Sequence, residues 1–250
     1  MRVGYHVGHV VLRETLDLQQ QWQDHLGQFR AAADAGFDAF CWGHHLLIDP
    51  FQHFQPWPIL ARLAAEPGNM KLATSVLLLP LLNPVDVAEQ VATLDHICEG
   101  RFILGVGLGY RPEEFEAMGT SMAHRGSRIT EALRLMRRLW TEDEVTHHGE
   151  HFQVTNARPT ARPYQKPHPP IGMSIIKGES MAARMAGQRG YIPLSTNLVH
   201  SSTVTRHWAV YTQGAEEDGQ PSPDRSIWRV SRSIYVGKSN DEAWDHCLNG

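Results

Sequence analysis

The chain has 250 residues, 42% hydrophobic and 20% charged, with a formal net charge of −4. That is enough chain to bury one large core, and it carries no basic excess that would draw it to nucleic acid or an anionic membrane. No apolar run approaches the ~20 residues that span a bilayer, and the opening MRVGYHVGHV lacks the apolar core of a signal peptide, so a soluble, unexported protein is expected.

Apolar strand-like runs alternate with amphipathic segments, the pattern of a parallel sheet with helical crossovers. Strands are expected near Val3 to Val7, Phe37 to Trp42, Lys71 to Leu79, Arg101 to Val106, Pro170 to Ile176, Gly190 to Leu194 and Ile227 to Val236. Between them, helices are expected at Leu18 to Ala35, Trp57 to Ala65, Val85 to Cys98, Arg125 to Trp140, Glu179 to Gln188 and Ser201 to Thr212, with another at Asp241 to Leu248. Asn83-Pro84 marks a helix start, with asparagine as cap and proline in the first turn. Units of even length with no nucleotide turn after the first strand favour a (β/α)8 TIM barrel over a doubly wound sheet. Seven strands are read where such a barrel has eight, so an apparently incomplete barrel of a single domain is expected. Residues 144–169 are proline-rich and polar and read as an excursion before the fifth strand.

The cysteines, Cys41, Cys98 and Cys247, have neither C-x-x-C spacing nor an even count, which argues against a disulfide framework or thiolate zinc site and for the cytoplasm. Fifteen histidines raise the question of metal. His147, His148 and His151 lie close in sequence and His6 and His9 are three apart, yet neither set carries a carboxylate in a zinc arrangement, so no metal is expected.

Residues that follow each strand build a barrel's active site. They are Tyr5-His6, Gly43-His44-His45, Thr74-Ser75, the glycines 105, 107 and 109, Lys177-Gly178-Glu179-Ser180, and Pro193 to Asn197. Paired histidines suit proton transfer near neutrality, although adjacent residues on an extended segment point to opposite sides. The alternate glycines let either a flat ligand or another backbone approach closely. Gly178-Glu179-Ser180 opens a helix, which suits either an anion or an ordinary N-cap.

The run LATSVLLLPLLNPVDVAEQVATLDHICEGRFILGVGLGYRPEEFEAMG, Leu72 to Gly119, resembles the signature of the bacterial luciferase-like flavin monooxygenases. GHH after the second strand and HRGSRITEALRLMRRLW after the signature support the resemblance. It implies a TIM barrel acting with reduced FMN, or a deazaflavin coenzyme in some branches, and dioxygen on a small, apolar substrate. It also implies a separate NAD(P)H-dependent flavin reductase and a homodimer. By position, His44 matches the active-site base, Ser75 and Val76 match a pair joined by a non-prolyl cis peptide under the flavin ring, and Gly107 matches a position beside the ring. Glu179 and Ser180 fall in the phosphate-holding segment. Gly43 stands where luciferases carry glutamate and Leu108 where they carry a phosphate-binding arginine, so Arg125 and Lys177 become the phosphate candidates. Ser75, Gly105 and Gly107 are expected to leave room for the ring, with Trp42 and Leu77 to Leu79 as its apolar lining. Tyr110 to Met118 and the excursion are expected to form the lid. Competing readings are a deazaflavin-dependent oxidoreductase of the same fold, a metal-dependent barrel hydrolase and a non-catalytic flavin-binding or assembly partner.

Overall fold

A computed structural model describes residues 2–7, 11–15 and 17–249. His9, half of one histidine pair considered above, lies outside them.

Seven parallel strands carry the fold in the spatial order of the chain: β1 (Gly4–Val7), β2 (Ala39–Trp42), β3 (Lys71–Thr74), β4 (Phe102–Gly107), β5 (Ile171–Ile175), β6 (Ile192–Ser195) and β7 (Arg229–Val230). Each pairs in parallel with the next. The sheet curls, so that the Arg229 guanidinium of β7 lies near enough to Cys41 of β2 to act on its thiol. This is the incomplete barrel the strand count implies.

The central strands are apolar on both faces because both are covered. In β4, Phe102, Leu104 and Val106 are fully buried; they join Phe40, Trp42, Leu60, Leu72 and Met173 in one continuous core. The helices are α1 (Leu18–Asp34), α2 (Pro56–Ala64), α3 (Pro84–Ile97), α4 (Pro112–Ala117), α5 (Arg125–Thr141), α6 (Met181–Arg189), α7 (Ser201–Glu217) and α8 (Asn240–Asn249), the last of which is largely exposed. Their starts follow local chemistry: Asn83 Oδ1 accepts from Val85 N–H at 2.9 Å with proline at the first helical position, and Asp17 Oδ1 accepts from both Gln19 and Gln20 N–H.

Two expected strands need correction, and one helix is added. The strand read from Lys71 to Leu79 is interrupted at a cis Ser75–Val76 peptide, and Leu77–Leu78 then pairs with β4 at Val106 and Gly107. The strand read from Ile227 to Val236 pairs only over Arg229–Val230, and Ile234 and Val236 are 82% and 85% exposed. β-favouring residues with no partner strand among the described residues do not form a ladder. Helix α4 was not read, although Pro112 at its start and Glu113 and Glu114 in its first turn are ordinary start signals.

The excursion contains an antiparallel hairpin, Val145–His148 against Gln153–Ala157. Two buried carboxylates hold it to the helices. Glu131 of α5 accepts from His147 Nε2, His151 N–H and Phe152 N–H at 2.9, 3.1 and 2.9 Å. Asp95 of α3 accepts from Gln165 N–H and Nε2–H at 2.8 and 2.7 Å.

Candidate active site

The carboxyl end of the sheet gathers four histidines. β2 runs directly into Gly43-His44-His45, and the two adjacent imidazoles go to different surroundings, as alternation requires. His44 is 4% exposed, and its Nδ1 accepts from Leu78 N–H at 3.2 Å. A backbone N–H only donates, so Nδ1 is unprotonated and the neutral ring carries its proton on Nε2. Burial, reinforced by His53 and His45, pushes the His44 pKa down to about 4.

His45 has the opposite tautomer. Its Nδ1–H donates to Glu114 Oε1 at 2.9 Å, so that the neutral ring has its lone pair on Nε2. Glu114 is fully buried on α4, and the same oxygen accepts Leu46 N–H at 2.9 Å. The half-buried His45 ring also meets Tyr110 edge-on at 5.8 Å. Glu114 Oε2 and Arg111 Nε are buried without partners, the kind of orphaned polar atoms that collect at functional sites. His6 Nε2 donates to Ser75 O at 2.8 Å, and His53 Nε2 donates to Gly43 O at 3.2 Å, so both steady the loops carrying the central pair.

The glycines resolve in favour of backbone rather than ligand. A Cβ on Gly105 would sit 2.1 Å from Thr74 O, and one on Gly107 would sit 2.5 Å from Val76 Cγ2. Their missing side chains therefore admit the chain around Ser75–Val76, which corrects the expectation that Gly105 and Gly107 leave open space. Trp42, Leu77 and Leu79 are likewise core residues at 1%, 0% and 0% exposure rather than an open lining. Ser75 and Val76 are half-buried at the mouth.

Beyond Gly107, a shallow, open cavity of about 420 Å³ is lined by Leu108, Met122, Ala123, Arg125 and Gly126. Met122 also packs on the cluster of Leu78, Leu81 and Phe115 that includes Leu46 and Val76; Leu78 donates its N–H to His44, and Leu46 follows His45 in the chain. Arg125 is half-buried at the start of α5 and forms no ion pair among the described residues. Lys177 is exposed and forms no ion pair among the described residues. Glu179 is tied to Arg206 at 2.8 Å, and Ser180 caps α6 by accepting Ala182 N–H at 3.2 Å. The stretch from Gly178 to Ser180 thus behaves as an ordinary cap with a surface ion pair. Glu114, His53 and Arg206 escaped sequence reading because their partners lie 69, 10 and 27 positions away.

A curled parallel sheet with histidines and a cation-lined cavity at its carboxyl end defines a barrel of the enzyme type, in which catalysis sits on the loops after the strands. The luciferase-like monooxygenase family model matches residues 1–249, and the chain belongs to that family. It is 32% identical over 201 residues to 4-hydroxyprotoasukamycin monooxygenase of Streptomyces nodosus subsp. asukaensis, covering 78% of this chain and 54% of that protein. It is 33% identical over 207 residues to an F420-dependent glucose-6-phosphate dehydrogenase of Kineococcus radiotolerans, covering 76% and 58%. The chain thus spans little more than half the length of these relatives. Among solved structures, the oxygenating constituent of 3,6-diketocamphane monooxygenase from Pseudomonas putida, in complex with FMN, superimposes with a TM-score of 0.87 at 25% identity, covering 97% of this chain and 69% of that one.

Proposed function

We propose that the chain is a flavin-dependent monooxygenase that takes reduced FMN and dioxygen and acts on a small, apolar organic substrate. The observation that carries this reading is the pair of adjacent imidazoles, His44 as donor and His45 as acceptor, separated by the Leu46, Leu78 and Met122 cluster from a cavity lined by Arg125, which forms no ion pair among the described residues. An apolar wall suits a planar ring and an uncompensated guanidinium suits its phosphate, so the residues present fit FMN. Arg125 would hold the phosphate, with Lys177 the alternative and Gly178, Glu179 and Ser180 adjoining; Ser75 and Val76 would face the ring, with Gly107 behind Val76. Bound reduced flavin supplies the electrons that activate dioxygen.

The chain's own residues then manage protons and water. His44 stays neutral across the physiological range and presents an Nε2–H donor. The family resemblance implies His44 as the base; its occupied Nδ1 and lowered pKa favour His45 for that role instead, with Glu114 behind its Nδ1. Tyr110, 61% exposed, stands against His45 at the outer edge, where it would cover the site. Reduced FMN would come from a separate NAD(P)H-dependent flavin reductase, and a homodimer is the assembly we favour.

A deazaflavin-dependent oxidoreductase is the second reading. It is supported by the 33% identical F420-dependent relative and by Leu108 in place of the family's phosphate-binding arginine. Anaerobic titration with reduced FMN and, separately, with reduced deazaflavin, followed by admission of air, tests both. Tight binding of reduced FMN with rapid oxygen consumption is expected. Binding of deazaflavin alone without oxygen uptake supports the second reading, and binding of neither overturns both.

A further inference from the structure

We propose that His124, Glu150 and His151 form a site for one divalent transition cation of the zinc class, which fastens the hairpin of the excursion to the rim of the cavity. The inference is independent of which flavin the chain binds. One ligand atom from each of the three residues lies within 4.8 Å of the others. The Glu150 Oε1 to His151 Nε2 separation is 3.6 Å, and the two imidazole centroids are 5.6 Å apart. A tetrahedral ion with bonds near 2.1 Å wants its ligand atoms about 3.4 Å apart. The carboxylate and one imidazole already have that spacing, and the remaining closure of up to about 1.4 Å is within the range of side-chain rotation.

The main chain beneath these side chains is held in place beforehand. His151 N–H and Phe152 N–H both donate to buried Glu131. The turn passes so close above that carboxylate that a Cβ on Gly149 would lie 1.8 Å from Glu131 Oε1. On the other side, His124 immediately precedes α5, and its carbonyl accepts from Ser127 Oγ at 3.1 Å. Both ligand-bearing segments are therefore tied to one helix, and only side-chain freedom is lost on binding.

The hydrogen bonding marks where the ion goes. Ser127 Oγ–H is directed to His124 O, so its 2.7 Å contact with His151 Nε2 has the imidazole N–H donating. A cation on His151 Nε2 replaces that proton and requires Ser127 Oγ to turn aside; Glu150 Oε1 lies 3.6 Å from the same nitrogen. Two imidazoles and one carboxylate form a borderline donor set, which prefers zinc, nickel or copper to magnesium or calcium and leaves a fourth position for water. His124 directly adjoins Met122, Ala123, Arg125 and Gly126 of the cavity wall, so the bound ion stiffens that rim. Sequence spacing did not show this set because its third member lies 26 and 27 positions before the other two.

Chelator-stripped protein titrated with zinc against a chromophoric competitor tests the assignment, alongside a variant combining His124→Ala, Glu150→Gln and His151→Ala. The wild type is expected to bind one zinc more per chain than the triple variant, to gain thermal stability on binding, and to show no response to magnesium. The single His124→Ala variant, altered at an exposed residue, is expected to bind at least tenfold more weakly; it decides the question should the triple variant fail to fold. Equal zinc stoichiometry and affinity in wild type and variants overturns the proposal.

Discussion

Replacing Arg125 with alanine tests the cavity as a flavin site most directly. The guanidinium lines the cavity, is half-buried and has no carboxylate partner among the described residues, so its removal breaks no existing ion pair. The whole effect on binding then comes from the lost contact to phosphate. A hydrogen bond to a charged group contributes about 1.5–3 kcal/mol, which is roughly ten- to 150-fold in Kd. Partial exposure places Arg125 toward the middle of that range, so Arg125→Ala is expected to weaken FMN binding about thirtyfold, read by flavin fluorescence quenching or by anaerobic titration of the reduced form. Arg125→Lys keeps the charge without the planar fork and should recover part of the loss. Lys177→Ala, removing an exposed side chain, should change Kd less than about threefold. Unaltered affinity in Arg125→Ala, or a larger loss in Lys177→Ala, refutes the assignment of phosphate to this cavity.

The remaining predictions concern protonation and packing. His44 binds its proton near pH 4 when folded and near 6.5 when unfolded, so between those values the unfolded chain holds more protons and stability falls with acidification. The effect amounts to up to about 3 kcal/mol, and His44→Asn, which retains an acceptor for Leu78 N–H, should flatten the stability-versus-pH curve across that window in urea titrations. An unchanged slope would mean that burial does not control this imidazole. Glu131→Ala removes the acceptor of three hydrogen bonds, two of them from backbone N–H groups, and is expected to cost about 3–4 kcal/mol in denaturant unfolding; a cost below ~1 kcal/mol would show that the hairpin is held by something else. Gly105→Ala drives a methyl to 2.1 Å from Thr74 O and should abolish soluble folded protein or cost more than ~3 kcal/mol. Gly27→Ala, where nothing lies within 4 Å in the middle of α1, should instead stabilise by about 0.5–1 kcal/mol; equal effects in circular-dichroism melts would refute the packing argument.

Much of the fold was legible in the residues themselves because apolar runs and helix start signals are local. β2, β4, β5 and β6 fall where their apolar runs predict, and α3 begins at the Asn83-Pro84 signal because asparagine and proline satisfy a helix end without any tertiary help. The family resemblance likewise rests on contiguous sequence, and the cis peptide it implies at Ser75–Val76 is present.

Tertiary structure decided what depends on distant partners. Whether Gly105 and Gly107 serve a ligand or a neighbouring strand was open in the sequence; Thr74 O and the Val76 side chain fill the space. Which of two adjacent histidines carries its proton where was also open. Leu78 N–H and the Glu114 carboxylate settle it, from 34 and 69 positions away. A side chain's chemistry is written in its residue type, but its tautomer, basicity and partners are set by the dielectric and donors that folding places around it.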